Sequence, residues 1–357
     1  KEHFGNQALQ KWDDKKAVAR DPSALEKYRI LLAEQIQYFK VTQYFFFKQW
    51  TELKNYANQK GIQIIGDMPI YVAADSVEVW TKPELFQLDE ERNPLFVAGV
   101  PADQFSATGQ LWGNPLYAWE EHKKQGYAWW IHRIEESFKI YDVLRIDHFK
   151  GFSDYWQVDG KAEVAKDGSW QPGPGYDLFK AVKEQLGDLP IIAEDLGNID
   201  DKARKLLTDC NYPGMKILQF GFEDVSGESL DSPHYCIPHS IVYTGTHDND
   251  VTNGWYNSLT EQQQQYINDY THRREDESIC QAMIRQLFAT VSNTAIATMQ
   301  DVLDLPASSR MNVPSTIGGN WQWRMQQSDL TQDKKDFLAK MTTLYQRANQ
   351  EKHNDEI

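Results

Sequence analysis

The most informative stretch of the sequence is Tyr141-Asp142-Val143-Leu144-Arg145-Ile146-Asp147-His148-Phe149, an apolar run that ends abruptly in charged residues. Alternate residues of a β-strand face the same side, so we expect Arg145 and Asp147 to project together. A carboxylate beside a guanidinium stays ionised at neutral pH, which suits a nucleophile. A purely structural ion pair at a strand end is the alternative, because such pairs also perturb pKa values.

Two later segments repeat the pattern of a short apolar strand followed by acidic residues. They are Leu189-Pro190-Ile191-Ile192-Ala193-Glu194-Asp195-Leu196-Gly197 and Ser240-Ile241-Val242-Tyr243-Thr244-Gly245-Thr246-His247-Asp248-Asn249-Asp250. In a parallel α/β barrel, side chains at the C-terminal ends of the strands form the active site. Three acidic strand ends with arginine and histidine neighbours therefore predict acid/base and nucleophilic chemistry rather than a surface patch.

These three segments resemble the signature regions of the amylomaltases, or 4-α-glucanotransferases, of the α-amylase-like glycosidase superfamily. The similarity runs in order from about Ala24 to about Arg324. Further matching stretches are Gly66-Asp67-Met68-Pro69-Ile70-Tyr71, Gly109-Gln110-Leu111-Trp112-Gly113-Asn114-Pro115-Leu116-Tyr117, Pro213-Gly214-Met215-Lys216-Ile217-Leu218-Gln219-Phe220, Arg310-Met311-Asn312 and Gly319-Asn320-Trp321.

The resemblance implies an α/β fold, a (β/α)8 TIM barrel with long inserted subdomains. Apolar strand candidates occur near residues 62, 143, 191, 216, 241 and 296, so only about six of the eight barrel strands are expected in this chain. Members of the family carry two further strands before the helix at Ala24. We therefore expect the N-terminal part of the family fold to be missing from this sequence.

The expected organisation follows the strand positions. Asp21 and Pro22 predict a helix start, and an aromatic run from Tyr44 to Phe47 lies in the following helix, where we expect it to pack. We predict a helical segment over residues 1–60, before the third barrel strand, and a barrel strand over 61–71, with Ile62–Ile65 as its buried part. An inserted subdomain with a lid loop over the cleft is expected over 72–140. The remaining barrel strands and helices follow over 141–330, and a C-terminal helix and tail over 331–357.

Composition excludes several classes of protein. A net charge of −15 at pH 7 argues against binding a nucleic-acid backbone, which needs clustered lysine and arginine. No apolar run approaches the roughly 18–20 residues of a membrane helix, and the first residues do not resemble a signal peptide. The 3 cysteines are far apart and fit neither a disulfide framework nor a zinc site. We expect a cytoplasmic protein.

Retaining cleavage of a glycosidic bond needs one carboxylate as nucleophile and one carboxylic acid that protonates the leaving oxygen. Asp147 is the candidate nucleophile, and Glu194 is the candidate acid/base, with a pKa raised by a neighbouring anion and partial burial. Residue chemistry alone leaves Asp195 as a rival acid, and the resemblance selects Glu194. Asp248 is the third catalytic candidate, expected to bind sugar hydroxyls and help distort the ring.

Several further residues are expected to bind substrate. Arg145 accompanies the nucleophile, while His148 and His247 could donate hydrogen bonds to sugar hydroxyls or be ordinary buried histidines. Asp224 could serve the acceptor side, although a lone loop carboxylate is more often solvated. The resemblance implies glucan contacts from Asp103, Gln110, Trp112 and Asn312, the last of which could instead belong to a capped loop packed by tryptophans.

We expect neither a cofactor nor a metal. Asp248-Asn249-Asp250 places oxygen ligands at alternate positions, but the central glycine and the closing glutamate of a calcium loop are absent.

The resemblance implies transfer of α-1,4-glucan segments between maltooligosaccharides through a covalent glycosyl-enzyme. The expected partners are maltooligosaccharides and α-1,4-glucans, with no nucleic acid and no membrane, and the sequence leaves the oligomeric state open. The alternatives are an α-amylase-type hydrolase, in which water attacks the intermediate, and an inactive glucan-binding fragment. Products discriminate between the first two, because hydrolysis raises the number of reducing ends and disproportionation conserves it.

Overall fold

The computed structural model describes residues 1–102, 108–197 and 199–348. The chain forms two compact units, Lys1–Tyr212 and a second that begins at Pro213. Each unit contains a three-stranded parallel sheet together with helices, which confirms the expected α/β class.

The described residues of the first unit form two sheets and include the longest described helix. Its strands are β1 Ile65–Met68, β2 Phe96–Val100, β3 Gln110–Pro115, β4 Val143–Ile146, β5 Asp154–Asp159, β6 Ser169–Pro172 and β7 Ile191–Ala193. Its α-helices are α1 Lys15–Val18, α2 Pro22–Leu31, α3 Ala33–Gln59, α4 Val77–Thr81, α5 Trp119–Lys124, α6 Ala128–Ile140, α7 Tyr176–Leu186 and α8 Asp201–Cys210.

The parallel sheet of this unit has the strand order β1-β4-β7. The central strand, β4, is buried at Leu144, Arg145 and Ile146, as a strand with a neighbour on each side requires. Its register sets Asp67 opposite Arg145 and Ile146 opposite Ala193. The residues that follow each strand therefore leave the sheet at the same edge.

The second sheet of this unit is antiparallel, with the order β3-β2-β5-β6. It joins two parts of the chain, since β2 and β3 belong to the predicted insertion and β5 and β6 follow β4. The sequence did not predict these strands. Val97 of β2 and Val158 of β5 form a small buried apolar cluster with Ala165.

The second unit is built around a parallel sheet in the order β10-β9-β8. All residues of the central strand, Ser240–Tyr243, are buried. The strands of this unit are β8 Gly214–Ile217, β9 Ser240–Tyr243 and β10 Thr294–Ile296, and its α-helices are α9 Leu218–Glu223, α10 Thr252–Ser258, α11 Glu261–Thr271, α12 Ile279–Ala289, α13 Met299–Val302 and α14 Gln332–Leu344.

The predicted helix start at Asp21 is confirmed. The Asp21 carboxylate caps α2 by accepting hydrogen bonds from the amides of Ser23 and Ala24, and Pro22 occupies the first helical position. The helical region then breaks at Leu32, between α2 and α3.

The predicted strand at Ile62–Ile65 is misplaced. Pairing with β4 begins only at Ile65, and Ile62 is 58% exposed. The cause is Asp142, whose carboxylate accepts hydrogen bonds from the Ile64 amide and the Asn58 side chain, both at 2.8 Å. This contact ties the end of α3 to the start of β4 and fixes residues 62–64 as a connection.

The expectation that the aromatic run of α3 is packed is wrong for the described chain. The side chains from Tyr44 to Phe47 are between 47% and 63% exposed. α3 is attached further along, where Trp50 and Lys54 donate hydrogen bonds to the main chain at the end of α6. The described residues leave the aromatic run largely uncovered.

No helix in the described part of the chain combines the length and the apolar character needed to span a membrane.

Side-chain burial predicts a large difference in stability between substitutions at two leucines of the first unit. Leu144 is fully buried in β4, whereas Leu95 is 49% exposed. Leu144→Ala should lower the free energy of unfolding by about 2–5 kcal/mol, because it leaves a cavity in the core. Leu95→Ala should change it by less than about 0.5 kcal/mol. Urea denaturation of both variants measures the difference, and equal losses would contradict the assigned burial of β4.

Candidate active site

The residues at the ends of β1 and β4 form an ion-pair cluster around Arg145. A guanidinium nitrogen, Nη1, lies 2.6 Å and 2.7 Å from the two carboxylate oxygens of Asp67 and 3.0 Å from Oδ1 of Asp147. Burial opposes the charge on Arg145, but Asp67 and Asp147 outweigh it and raise the pKa of the guanidinium. The predicted contact between Arg145 and Asp147 is confirmed.

Glu194 follows β7 and is held by the backbone of two loops. Its Oε2 accepts a hydrogen bond from the His148 amide at 2.7 Å, and its Oε1 accepts one from the Leu196 amide at 2.8 Å. The main chain fixes it further, because the Glu194 amide donates to Ile146 and the Phe149 amide donates to the Glu194 carbonyl. Both carboxylate oxygens are thereby oriented.

Burial, followed by the charge of Asp147, raises the pKa of Glu194 to about 7, although Arg145 and the two amide bonds act in the opposite direction. A carboxyl group with this pKa can carry a proton near neutral pH and also release it.

His148 has a left-handed backbone, with φ 51° and ψ 51°. This conformation is uncommon for a residue with a side chain, and here it directs the His148 amide at Glu194. Burial lowers the pKa of the imidazole to about 4, so the ring is neutral at pH 7. Its Nε2 is buried and has no hydrogen-bond partner among the described residues.

Trp112 and Gln110 of β3 lie beside this histidine. The Trp112 ring meets the His148 ring edge-on, with centroids 4.8 Å apart, and its indole nitrogen donates to Oε1 of Gln110 at 3.2 Å. Trp112 is 36% exposed, so part of its ring is open to solvent beside His148.

In the second unit, the loop after β9 carries Asp248. The Asn312 side chain donates a hydrogen bond to Oδ1 of Asp248 at 2.6 Å, and the Arg310 guanidinium donates to the Asp248 carbonyl at 2.7 Å. The His247 ring lies 5.1 Å from that of Trp321, which is 61% exposed. The structure thus brings together Asp248, His247 and Asn312 of the predicted set.

The two remaining predicted residues are Asp224 and Asp103. Asp224 is exposed and accepts hydrogen bonds from the amide and hydroxyl of Ser226, which lower its pKa and form a local turn. Asp103 lies outside the described residues.

Sequence reasoning gave no role to Asp67 or Arg310. Asp67 ends an apolar strand in the same way as Asp147, and this pattern could have identified it. Arg310 lies in a loop without strand character, and only the folded chain brings it to Asp248.

One group of described side chains has metal-compatible spacing, namely His132, Glu135 and Glu136, which are exposed on α6. It includes none of the site residues.

The raised pKa of Glu194 predicts a stability effect that depends on pH. The folded state holds this proton more tightly than the unfolded state, so the native glutamate loses stability as pH rises from 4.5 to about 7. Glu194→Gln removes that loss and should be more stable than the native protein above pH 7, by on the order of 2 kcal/mol, with no gain below pH 4.5.

Urea denaturation across this pH range measures the difference. Glu184→Gln, on the exposed face of α7, is the matched control and should follow the native protein at every pH. A constant offset between Glu194→Gln and the native protein would contradict a raised pKa.

Comparison with known proteins gives consistent matches. The family model described as 4-alpha-glucanotransferase matches residues 1–331. The chain is 52% identical to the 4-alpha-glucanotransferase of Streptococcus pneumoniae serotype 4 over 351 residues, which are 98% of this chain and 69% of the relative. It is 43% identical to the 4-alpha-glucanotransferase of Clostridium butyricum, covering 92% of this chain and 68% of the relative.

Among solved structures, the amylomaltase from Streptococcus agalactiae in complex with acarbose matches with a TM-score of 0.96 and 60% sequence identity. The match covers 98% of this chain and 70% of that chain. The resemblance found in the strand-end motifs is thereby confirmed. The chain belongs to the 4-α-glucanotransferase family, the amylomaltases.

Proposed function

We propose that the chain is a retaining 4-α-glucanotransferase, which moves α-1,4-glucan segments between maltooligosaccharides. One observation carries the proposal. An arginine-paired carboxylate, Asp147, acts on the pKa of Glu194, which is raised to about 7. A fixed anion beside an acid that is partly protonated at neutral pH is the pair that retaining glycosidic cleavage requires.

In the first step, a carboxylate oxygen of Asp147 attacks the anomeric carbon of the donor glucan. The bond from that carbon to the glycosidic oxygen breaks, and Glu194 gives its proton to the departing oxygen. The products of this step are a glycosyl-ester on Asp147, an ionised Glu194 and a shortened glucan with a free 4-hydroxyl group.

In the second step, ionised Glu194 takes the proton from the 4-hydroxyl of an acceptor sugar. The acceptor oxygen attacks the anomeric carbon and releases Asp147 as a carboxylate. Two inversions at the same carbon retain the α configuration, and Glu194 regains its proton for the next cycle.

Asp248 is proposed to bind hydroxyls of the sugar that reacts and to strengthen those contacts as the oxocarbenium-like state forms. The neutral imidazole of His148 is suited to hydrogen-bond a sugar hydroxyl through its buried Nε2. Arg145 pairs with Asp147 at 3.0 Å and holds its carboxylate in place.

The other expected substrate contacts belong to the same proposal. The partly exposed Trp112 offers a flat apolar surface for a sugar ring, with Gln110 beside it. His247 and the Asn312 side chain adjoin Asp248. The streptococcal amylomaltase solved with acarbose supports an oligosaccharide ligand for this family. The remaining proposed contacts are Asp103 and Asp224.

We also propose that the fold is a (β/α)8 barrel, of which this chain contains about six strands. Its support is the presence in each unit of three neighbouring parallel strands. A cytoplasmic location is proposed as well, and three free thiols, those of Cys210, Cys236 and Cys280, support a reducing compartment.

Incubation with maltotriose tests the transferase activity. We expect glucose together with maltopentaose and longer chains, at a constant total of reducing ends, because each cleavage is matched by a transfer to another sugar. Chromatography by chain length and a reducing-end assay measure both quantities. Glucose and maltose with rising reducing ends would identify a hydrolase instead.

Carboxylate variants test the assigned roles. Asp147→Asn should lower kcat by at least about 10⁴-fold on every donor, because no covalent intermediate can form. Glu194→Gln should lose activity on maltotriose but keep the first step on α-glucosyl fluoride, whose leaving group needs no proton. Fluoride should then be released in a burst, while the second step, which needs the base, stays slow.

Asp195→Asn is the matched control, because it changes the neighbouring carboxylate. If Asp195→Asn gave the donor-dependent pattern and Glu194→Gln did not, the acid/base assignment would be wrong.

A further inference from the structure

Asp301 is a buried carboxylate that the reaction steps above do not use. It lies on α13, directly after β10, and is 2% exposed. No lysine, arginine or histidine of the described residues lies within ion-pair distance of it. A buried carboxylate without a cation is costly unless hydrogen bonds compensate its charge, so the partners of Asp301 indicate why it is there.

Those partners are the two ends of the loop that carries Asp248. Oδ2 of Asp301 accepts a hydrogen bond from the Thr244 hydroxyl at 2.7 Å, and Oδ1 accepts one from the Thr252 amide at 2.8 Å. Thr244 directly follows β9, and Thr252 is the first residue of α10. Both threonines are fully buried.

Both carboxylate oxygens of Asp301 are engaged, one by each end of the loop. One side chain therefore fixes the distance between the two points where the loop 245–251 leaves the core. Within the loop, Arg310 and Asn312 hold Asp248 itself, and the Gln219 side chain donates to the Asp250 carbonyl at 2.9 Å.

We propose that Asp301 is a positioning residue for Asp248, acting through the ends of the loop 245–251. The inference rests on the proposed role of Asp248 in binding the sugar that reacts. A displacement of the loop ends would move the Asp248 carboxylate relative to the sugar hydroxyls, and catalytic groups tolerate little displacement.

Thr244→Val tests this most cleanly, because it removes one of the two anchors and keeps the size and branching of the side chain. It should lower kcat/KM on maltotriose about tenfold or more, mainly through kcat, since the contacts of Asp248 strengthen in the transition state. Asp301→Asn, which replaces one of the two accepting oxygens with an NH2 group, should act in the same direction.

Thr271→Val is the matched control. Thr271 is 1% exposed and donates its hydroxyl to the Ile267 carbonyl inside α11, so the same substitution removes a buried hydroxyl that does not touch the loop. Thr271→Val should keep kcat/KM within about twofold of the native value. This should hold even if thermal denaturation shows that Thr271→Val and Thr244→Val lose the same amount of stability.

A double-mutant cycle with Asp248→Asn, on α-glucosyl fluoride as donor, separates positioning from general destabilisation. If Thr244 and Asp301 act through Asp248, then Thr244→Val should cost about tenfold in the native background and less than about twofold in the Asp248→Asn background. Equal costs in both backgrounds, or a cost no larger than that of Thr271→Val, would overturn the inference. If Asp248→Asn alone kept near-native activity, the proposed role of Asp248 would be wrong and the inference about Asp301 would fail with it. That single variant therefore distinguishes a failure of the proposed function from a failure of the inference.

Discussion

The register of the three parallel strands β1, β4 and β7 is the constraint from which the site in the first unit follows. It sets Asp67 opposite Arg145, and the hydrogen bond from the Asp147 amide to the Met68 carbonyl continues the pairing beyond β4. A shift by one residue would turn these side chains to the other face. The apolar residues that bury β4 therefore also determine which charged groups meet at its end.

The second unit positions its carboxylate in a different way. Asp248 stands in a loop, beyond the last paired residue of β9, so sheet register cannot orient it. Hydrogen bonds from other segments orient it instead. Asn312 and Arg310 donate to Asp248 itself, and Asp301 accepts hydrogen bonds from the two ends of its loop. A loop that depends on such bonds is sensitive to substitutions at positions that do not touch a substrate.

Much of this arrangement could be predicted from local sequence. The alternation along residues 141–149 gave β4 and the contact between Arg145 and Asp147, and Asp21 with Pro22 gave a helix start. Other features depend on tertiary partners that local patterns do not encode. The antiparallel strands β5 and β6 have no clear alternation, the start of β1 is set by bonds to Asp142, and the aromatic run of α3 has a core-like pattern although it is exposed.

The proposed chemistry depends most on the electrostatic coupling between Asp147 and Glu194, and a direct titration of Glu194 tests it. Infrared difference spectra between the native protein and Glu194→Gln isolate the carboxyl signal of this residue as pH is varied. We expect Glu194 to titrate near pH 7 in the native protein and at a lower pH in Asp147→Asn, where the neighbouring charge is gone. Titration at an ordinary carboxyl value, unchanged by Asp147→Asn, would contradict the assignment of the nucleophile and acid pair.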